Sequence, residues 1–442
     1  MTALGEAVRS GDVEAVRELL RRGADADAVD ADGLSPLCAA VAAYAYEVAA
    51  VLVEAGADPD RVLPDGTTPL LRAVEGGSPA TVTALLGDDA RQRLPEAERA
   101  RLLEAARQWY EEGAEQRLRR LTGAAGPAGA GWEQDAEYEG VPALTLGGRS
   151  VRAGHGAVLT LLEWEFRVLA PVEELVARGV RSPRRDHVDR NASLWVLSSR
   201  RSAQTWAEAA AFRHDPDPRR RAFAVDVVRN RLWSWGDTAH ARWYEKECQR
   251  ILVEWEAGET DADVLGRVLD ALVETDVPAR EGIGLRRAGH PAPAVRRAVP
   301  GLFGRPLSPD ARRALRELCR DADGAVRASA AGALAGEEPG EEELSLLPDL
   351  LRDTDPEVVR RTAYALGSVG HGAAQLAELL VGCLDADDPD IRLSAAYGLA
   401  ERDDPRAPQA YAKVGPLGPA YEHDHRRRGL WRWESRRGPG RS

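Results

Sequence analysis

The side chains best equipped for recognition chemistry gather in one stretch. Nine of the eleven tryptophans lie between residues 109 and 255, most densely in RNRLWSWGDTAHARWYEKECQRILVEW (229–255). Just upstream, residues 181–221 carry ten arginines against five acids, a local balance of +5. Arginine and aromatic rings together are the composition of a binding hot spot, because both bury a large area while keeping a polar handle. Arg219, Arg220, Arg221, Arg229, Arg231, Trp233, Trp235 and Trp243 are therefore candidate partner-binding residues. Trp255 follows Cys248, Ile251 and Leu252 at helical spacing and reads as core. A carboxylate beside such an aromatic cleft could serve as a general acid or base. Asp186 and Asp237 can be nominated, but no spacing singles them out.

The remaining reactive types do not assemble a catalytic centre. Cys38, Cys248, Cys319 and Cys383 lie far apart, with neither a paired zinc-ligand spacing nor a disulfide framework. Cys319 and Cys383 sit among leucines and read as small core residues. Only His423 and His425 come close to each other, in a basic, Trp-containing tail where an i, i+2 pair offers at most adventitious metal binding. GGRSVRAGHG (147–156) lacks the Gly-Lys-Ser/Thr of a phosphate loop. We expect no catalytic residue, no cofactor and no metal.

Composition narrows the setting. The formal charge of −13 repels nucleic acid and anionic membranes on average, although a local basic patch can overrule the average. Arginine almost excludes lysine, which occurs only at Lys246 and Lys413, a bias expected of a GC-rich bacterial genome. The first residues lack the basic start and apolar core of a secretory signal, and no apolar run approaches the roughly 20 residues of a membrane span. A cytoplasmic protein without membrane contact is expected.

The elements that must position these residues are repeats. GADADAVDADGLSPL (23–37) and GADPDRVLPDGTTPL (56–70) align without a gap at an offset of 33. Gly23 and Gly56 suit the left-handed turn that closes a helix, Asp32-Gly33 and Asp65-Gly66 are turn dipeptides, and Ser35-Pro36 and Thr68-Pro69 place a cap before a first-turn proline. The pattern D-G-x-[ST]-P-L, then a helix pair, then G-A-D resembles ankyrin repeats. The usual His after Pro-Leu is replaced by Cys38 and Leu71. Residues 94–121 predict an amphipathic helix capping this stack, so residues 1–122 form the first module. Asp32 and Asp65, at the turn tips, are further candidate contacts.

Residues 123–156 are rich in Gly, Ala and Pro without helical period, and read as a linker. A second repeat of 31 to 33 residues then emerges, clearest in RDADGAVRASAAGAL (320–334), RDTDPEVVRRTAYAL (352–366) and DADDPDIRLSAAYGL (385–399). This resembles HEAT repeats of the short kind found in phycobilisome bilin lyases. Six units are expected from 203 to 405, with one degenerate helical pair before them, giving a second module at 157–405 and a tail at 406–442. Arg296, Arg327, Arg360 and Arg392 recur at one repeat position, where pairing with the Asp-rich turns is favoured over an anion-binding ladder.

The expected fold is all-α: two helical-repeat solenoids in one chain. The leading functional expectation is a non-catalytic scaffold or regulatory adaptor, in the manner of an immunity or inhibitor protein, that binds a protein partner. A nucleic-acid-binding or DNA-repair role through the Arg/Trp segment 181–255 stands second, since some alkylpurine DNA glycosylases hold DNA on HEAT arrays this way; net acidity disfavours it. A HEAT-like lyase or other small-molecule enzyme stands third.

Overall fold

The computed structural model describes residues 3–29, 34–87, 89–232, 239–336, 339–369 and 374–437. Their contacts separate into two compact units, residues 1–234 and 235–442.

The first unit opens with three stacked helix pairs: α1 (Ala3–Ser10) and α2 (Val13–Arg21), α3 (Pro36–Ala42) and α4 (Tyr46–Glu54), α5 (Pro69–Gly76) and α6 (Pro79–Leu86). The local signals act largely as their chemistry requires. Gly23 and Gly56 adopt φ of 87° and 95° after their helices. Thr68 caps α5 through Oγ1, which accepts from Leu71 N at 3.1 Å. Ser35 departs from expectation: its hydroxyl donates to Cys38 Sγ at 3.6 Å and caps no backbone N–H. The helix expected over 94–121 breaks at Gly113 into α8 (Glu96–Glu112) and α9 (Ala114–Thr122), after the short α7 (Ala90–Arg93).

The expected linker is not irregular. Residues 129–152 form a three-stranded antiparallel sheet, β1 (Gly129–Ala136), β2 (Glu139–Leu146) and β3 (Arg149–Arg152), in that order. Gly147-Gly148 turn β2 into β3 with φ of 58° and 78°, the positive angles a two-residue hairpin needs. Composition hid the sheet because six successive residues of β1 are exposed and only Asp135 is buried, so no alternation marks the strand.

Nor does the sheet separate two modules. It leads into α10 (His155–Glu165), which packs directly on α6 and α8. One hydrophobic core runs from Leu4 and Val8 through Leu37, Leu70 and Leu85 to Val158 and Leu162. Each of these leucines contributes roughly 2 kcal/mol by leaving water. The array continues through α11 (Val172–Gly179), α12 (Val188–Ser199), α13 (Ala203–Ala211) and α14 (Pro218–Leu232). Where one helical pair was expected there are three helices, α10 to α12.

The second unit repeats a simpler plan. Its helices are α15 (Ala239–Gly258), α16 (Ala262–Val273), α17 (Arg280–Arg287), α18 (Pro293–Ala298), α19 (Pro309–Leu318), α20 (Gly324–Ala335), α21 (Glu341–Leu350), α22 (Pro356–Ser368), α23 (Ala374–Gly382), α24 (Pro389–Glu401), α25 (Ala407–Val414) and α26 (His425–Arg437). The even-numbered helices from α16 to α26 pack in one continuous row. Asp323, Asp355 and Asp388 cap α20, α22 and α24 by accepting from Val326 N, Glu357 N and Asp390 N. The tail from 406 belongs to this unit, because Leu430 and Trp433 of α26 are buried in its core.

Candidate partner-binding surfaces

The arginines of the expected hot spot are largely engaged within the first unit. Arg219 donates to Val180 O, Arg220 pairs with Glu173 and Asp215, and Arg221 donates to Asp215 O and Pro216 O at 2.9 and 3.2 Å. Arg231 is buried and donates to Ser198 O. Arg229 stands exposed on α14. Trp243 is half exposed in the second unit, edge-on to Tyr244 with centroids 4.8 Å apart. Trp233, Trp235, Asp32 and Asp237 lie outside the described residues. Asp65 is exposed, yet its carboxylate closes its own turn, accepting from Thr67 N and Oγ1 and from Arg72. The Thr67 bonds, with Arg72 behind them, hold it down at about 2. Asp186 is likewise held low by Arg184, the opposite of a poised general acid. The structure thus brings no catalytic or hot-spot set together from these residues.

The recurrent arginines form a ladder in the second unit. Arg296 grips Asp321 with Nε and Nη2 at 2.6 and 2.8 Å, while Nη1 donates to His290 O and Pro291 O. Arg327 repeats this on Asp353 at 2.8 and 2.7 Å and on Asp321 O and Ala322 O. Arg360 reaches Asp388, and Arg392 ends the series on Val414 O. Each guanidinium therefore ties its own turn to the next one, which uses its fork of donors where an anion would otherwise sit. The carbonyl contacts of Arg221 repeat the rung geometry at the same spacing.

Open grooves lie beside the helix rows. In the second unit a groove of about 610 Å³ runs over α18, α20 and α22, floored by Ala325, Ser329 and Gly332 and walled by Arg297, Arg361 and Tyr364. Another, of about 620 Å³, lies between α24, α25 and α26 beneath Trp431, which is 64% exposed. The first unit carries a more apolar groove of about 630 Å³, bounded by α4, α6, α10, α12 and the β1–β2 turn. Ala80, Ala84, Leu161 and Ala192 line it with Trp195, which is 48% exposed. Trp195 is propped edge-on against Trp164 at 5.3 Å.

The ankyrin-repeat family model matches residues 4–94 in three copies, and the HEAT-repeat family model matches residues 281–367 and 344–413. The chain carries ankyrin repeats and HEAT repeats. Residues 203–280, expected as looser HEAT units, lie outside that match. No curated protein shows significant sequence similarity. Among solved structures, the E. coli YibA protein is 17% identical over 60% of this chain and 92% of its own, with a TM-score of 0.42. Kap121p bound to Ste12p is 13% identical over 98% of this chain and 51% of its own, with a TM-score of 0.44. Human deoxyhypusine hydroxylase in complex with glycerol is 18% identical over 60% of this chain and 94% of its own, with a TM-score of 0.24.

Reactive groups in both repeat types serve packing. In the HEAT part, burial pushes the Cys319 thiol up to about 12 and the Cys383 thiol to about 11, far from a reactive thiolate. His423 and His425 turn to different neighbours, Arg428 and Tyr397. The tail was expected to dock on Glu341–Glu343; instead Arg426 pairs with Asp390 and Asp424, and Glu342 and Glu343 are taken by Arg316. Among the described residues no group of His, Cys, Asp and Glu is arranged to hold a metal ion, and no helix is long and apolar enough to cross a membrane.

A buried polar knot, missed in the sequence, ties the last ankyrin repeat to α10. Asp135 accepts from Ser78 Oγ at 2.6 Å, Ala80 N at 2.9 Å and Arg152 Nη1 at 2.8 Å. The Arg152 guanidinium lies over the Tyr44 ring at 4.5 Å. A Cβ on Gly77 would sit 1.9 Å from Arg152 O, so only glycine lets β3 approach this turn. His155 stacks flat on Trp109 at 4.7 Å, and its Nε2 meets Glu75 O at 3.1 Å. Burial pushes His155 down to about 4. Asp189 caps α10 by accepting from Ala157 N at 2.6 Å, and burial pushes it up to about 7 against that bond. The contributing residues are scattered from 44 to 189, and no local motif could announce them.

Proposed function

We propose that the chain is a repeat scaffold that holds a protein partner, acting as an adaptor or as an immunity-type regulator and performing no chemistry of its own. The observation that carries this reading is the open grooves beside helix rows whose charged side chains are largely engaged internally. Solenoids recognise partners through such extended surfaces, and the matched families supply the framework. Most of the Arg/Trp segment's described arginines already have partners, which favours a protein partner over a nucleic-acid backbone.

Crosslinking of the tagged full chain in its own cell lysate, followed by mass spectrometry, should recover one protein reproducibly and in stoichiometric yield. Titration with labelled duplex and single-stranded DNA at low salt should show no saturable binding. Phosphate contacts would appear there as a steep salt dependence. A tight DNA complex without a protein partner would replace this reading with the nucleic-acid one.

A further inference from the structure

The groove of the first unit combines an apolar floor with an acidic margin. Glu137 and Glu139 line it from the β1–β2 turn, and no basic side chain does. Glu47 adds a third carboxylate through Tyr46, whose hydroxyl donates to Glu47 Oε1 at 3.4 Å. Burial first, then Glu47 and Glu137, raise the Tyr46 phenol, which places these charges within electrostatic reach of one lining residue. Among the described residues none of the three glutamates has a cationic partner; Glu139 accepts only from Asn191, at 3.3 Å. Elsewhere in this unit, acids such as Asp135, Glu163 and Asp226 are closed by arginine.

The aromatic content of this face is also displayed. Tyr138 sits between the two lining glutamates, 84% exposed, with a φ of 64° where glycine or asparagine would relax the turn. With Trp195 it gives the face two exposed rings of the kind that anchor interfaces.

We propose that this groove docks an apolar protein segment flanked by lysine or arginine: aliphatic side chains against Ala80, Ala84, Leu161 and Trp195, and cations against Glu47, Glu137 and Glu139. The proposal rests on the scaffold reading and names the chemistry of the partner's segment. An acidic or purely polar segment would leave the floor exposed to water and add like charge to the margin.

The probe is a fluorescein-labelled peptide, KKLLKWLLKK, titrated by anisotropy onto the full chain, beside EELLEWLLEE and KKSSKSSSKK. The first should bind saturably and the other two should not. Trp195→Ala and the double variant Glu47→Lys/Glu137→Lys should each weaken binding at least about tenfold. These positions are exposed, so melting curves should match the parent. The control double Glu96→Lys/Glu111→Lys, on the exposed side of α8, changes the charge equally and should stay within about twofold. Equal loss in the control would reduce the effect to the chain's overall negative field and overturn the groove. So would binding of the glutamate peptide, absence of binding by the cationic one, or self-association abolished by Trp195→Ala. Recovery of a lysate partner that Trp195→Ala and the double variant both retain would sink this inference while leaving the scaffold standing. Recovery of no partner, with peptide binding intact, would do the reverse.

Discussion

The two units hold their helix rows together by opposite strategies. In the second unit one device recurs: an arginine from each row helix grips the aspartate of the next turn, at Arg296–Asp321, Arg327–Asp353 and Arg360–Asp388. In the first unit a single knot of unlike residues joins ankyrin repeat, sheet and α10, around Asp135, Arg152, His155 and Asp189. A ladder distributes its stabilisation over many partly exposed rungs, so losing one leaves the others intact. A knot concentrates it in buried groups that leave each other unpaired when one is removed.

That contrast is most directly broken at Asp135. Asp135→Ala removes the acceptor for Ser78, Ala80 and Arg152 at once and leaves a guanidinium buried beside Tyr44. We expect a loss of about 3–5 kcal/mol, read by urea unfolding of the full chain. The first unit should unfold early while the HEAT part melts as before. A single unshifted transition would show the knot to be dispensable.

The same contrast explains what could be read in advance. The rungs were legible because Arg296, Arg327, Arg360 and Arg392 recur at repeat spacing beside Asp-rich turns, so periodicity alone paired them. The ankyrin and HEAT signatures likewise rest on turns and caps whose chemistry is local. The knot has no period. Trp109 and His155 meet only because the sheet folds between them, and that sheet carries its buried residue, Asp135, among exposed neighbours. The Arg/Trp segment misled for a related reason. Composition counts arginines but cannot tell that Arg220 already faces Glu173 and Asp215. The acidic groove was invisible because Glu47 and Glu137 lie in different elements and are adjacent only in space.

Acid separates the units next. His155 has its folded pKa lowered from 6.5 to about 4, so its neutral burial costs stability as pH falls through that window. Asp189 has its folded pKa raised from 3.8 to about 7, so it recovers stability over nearly the same range as it takes up its proton. The two should offset each other, leaving the parent's first unit nearly level between pH 7 and 4. Asp189→Asn keeps the acceptor for Ala157 N and removes the gain, exposing a loss of up to about 3 kcal/mol toward pH 4. His155→Gln should do the reverse and grow more stable on acidification. Melting temperatures of both variants across this range check the signs. The second unit's ladder aspartates, held low by Arg296 and Arg327, should not weaken until pH drops below their ordinary value of about 3.8.

The smallest expected effects lie within the ladder, and their order tests whether burial sets the value of a rung. Arg327 and Asp353 are 16% and 11% exposed and meet through two parallel bonds, whereas Arg360 and Asp388 are 38% and 27% exposed and Arg360 divides its donors with Glu357. Arg327→Ala should cost about 2 kcal/mol, since a charge-assisted, partly desolvated pair is lost along with the two carbonyl bonds of its own turn. Arg360→Ala should cost no more than about 1 kcal/mol, the range of solvated ion pairs, and about 0.5 M salt should largely erase even that. Double-mutant cycles with Asp353→Ala and Asp388→Ala isolate the pair energies from the side-chain stems. Equal coupling at both rungs, insensitive to salt, would mean that repeat position outweighs exposure, and the HEAT row would then be held by its cores alone, with the arginines serving to set the register of one turn upon the next.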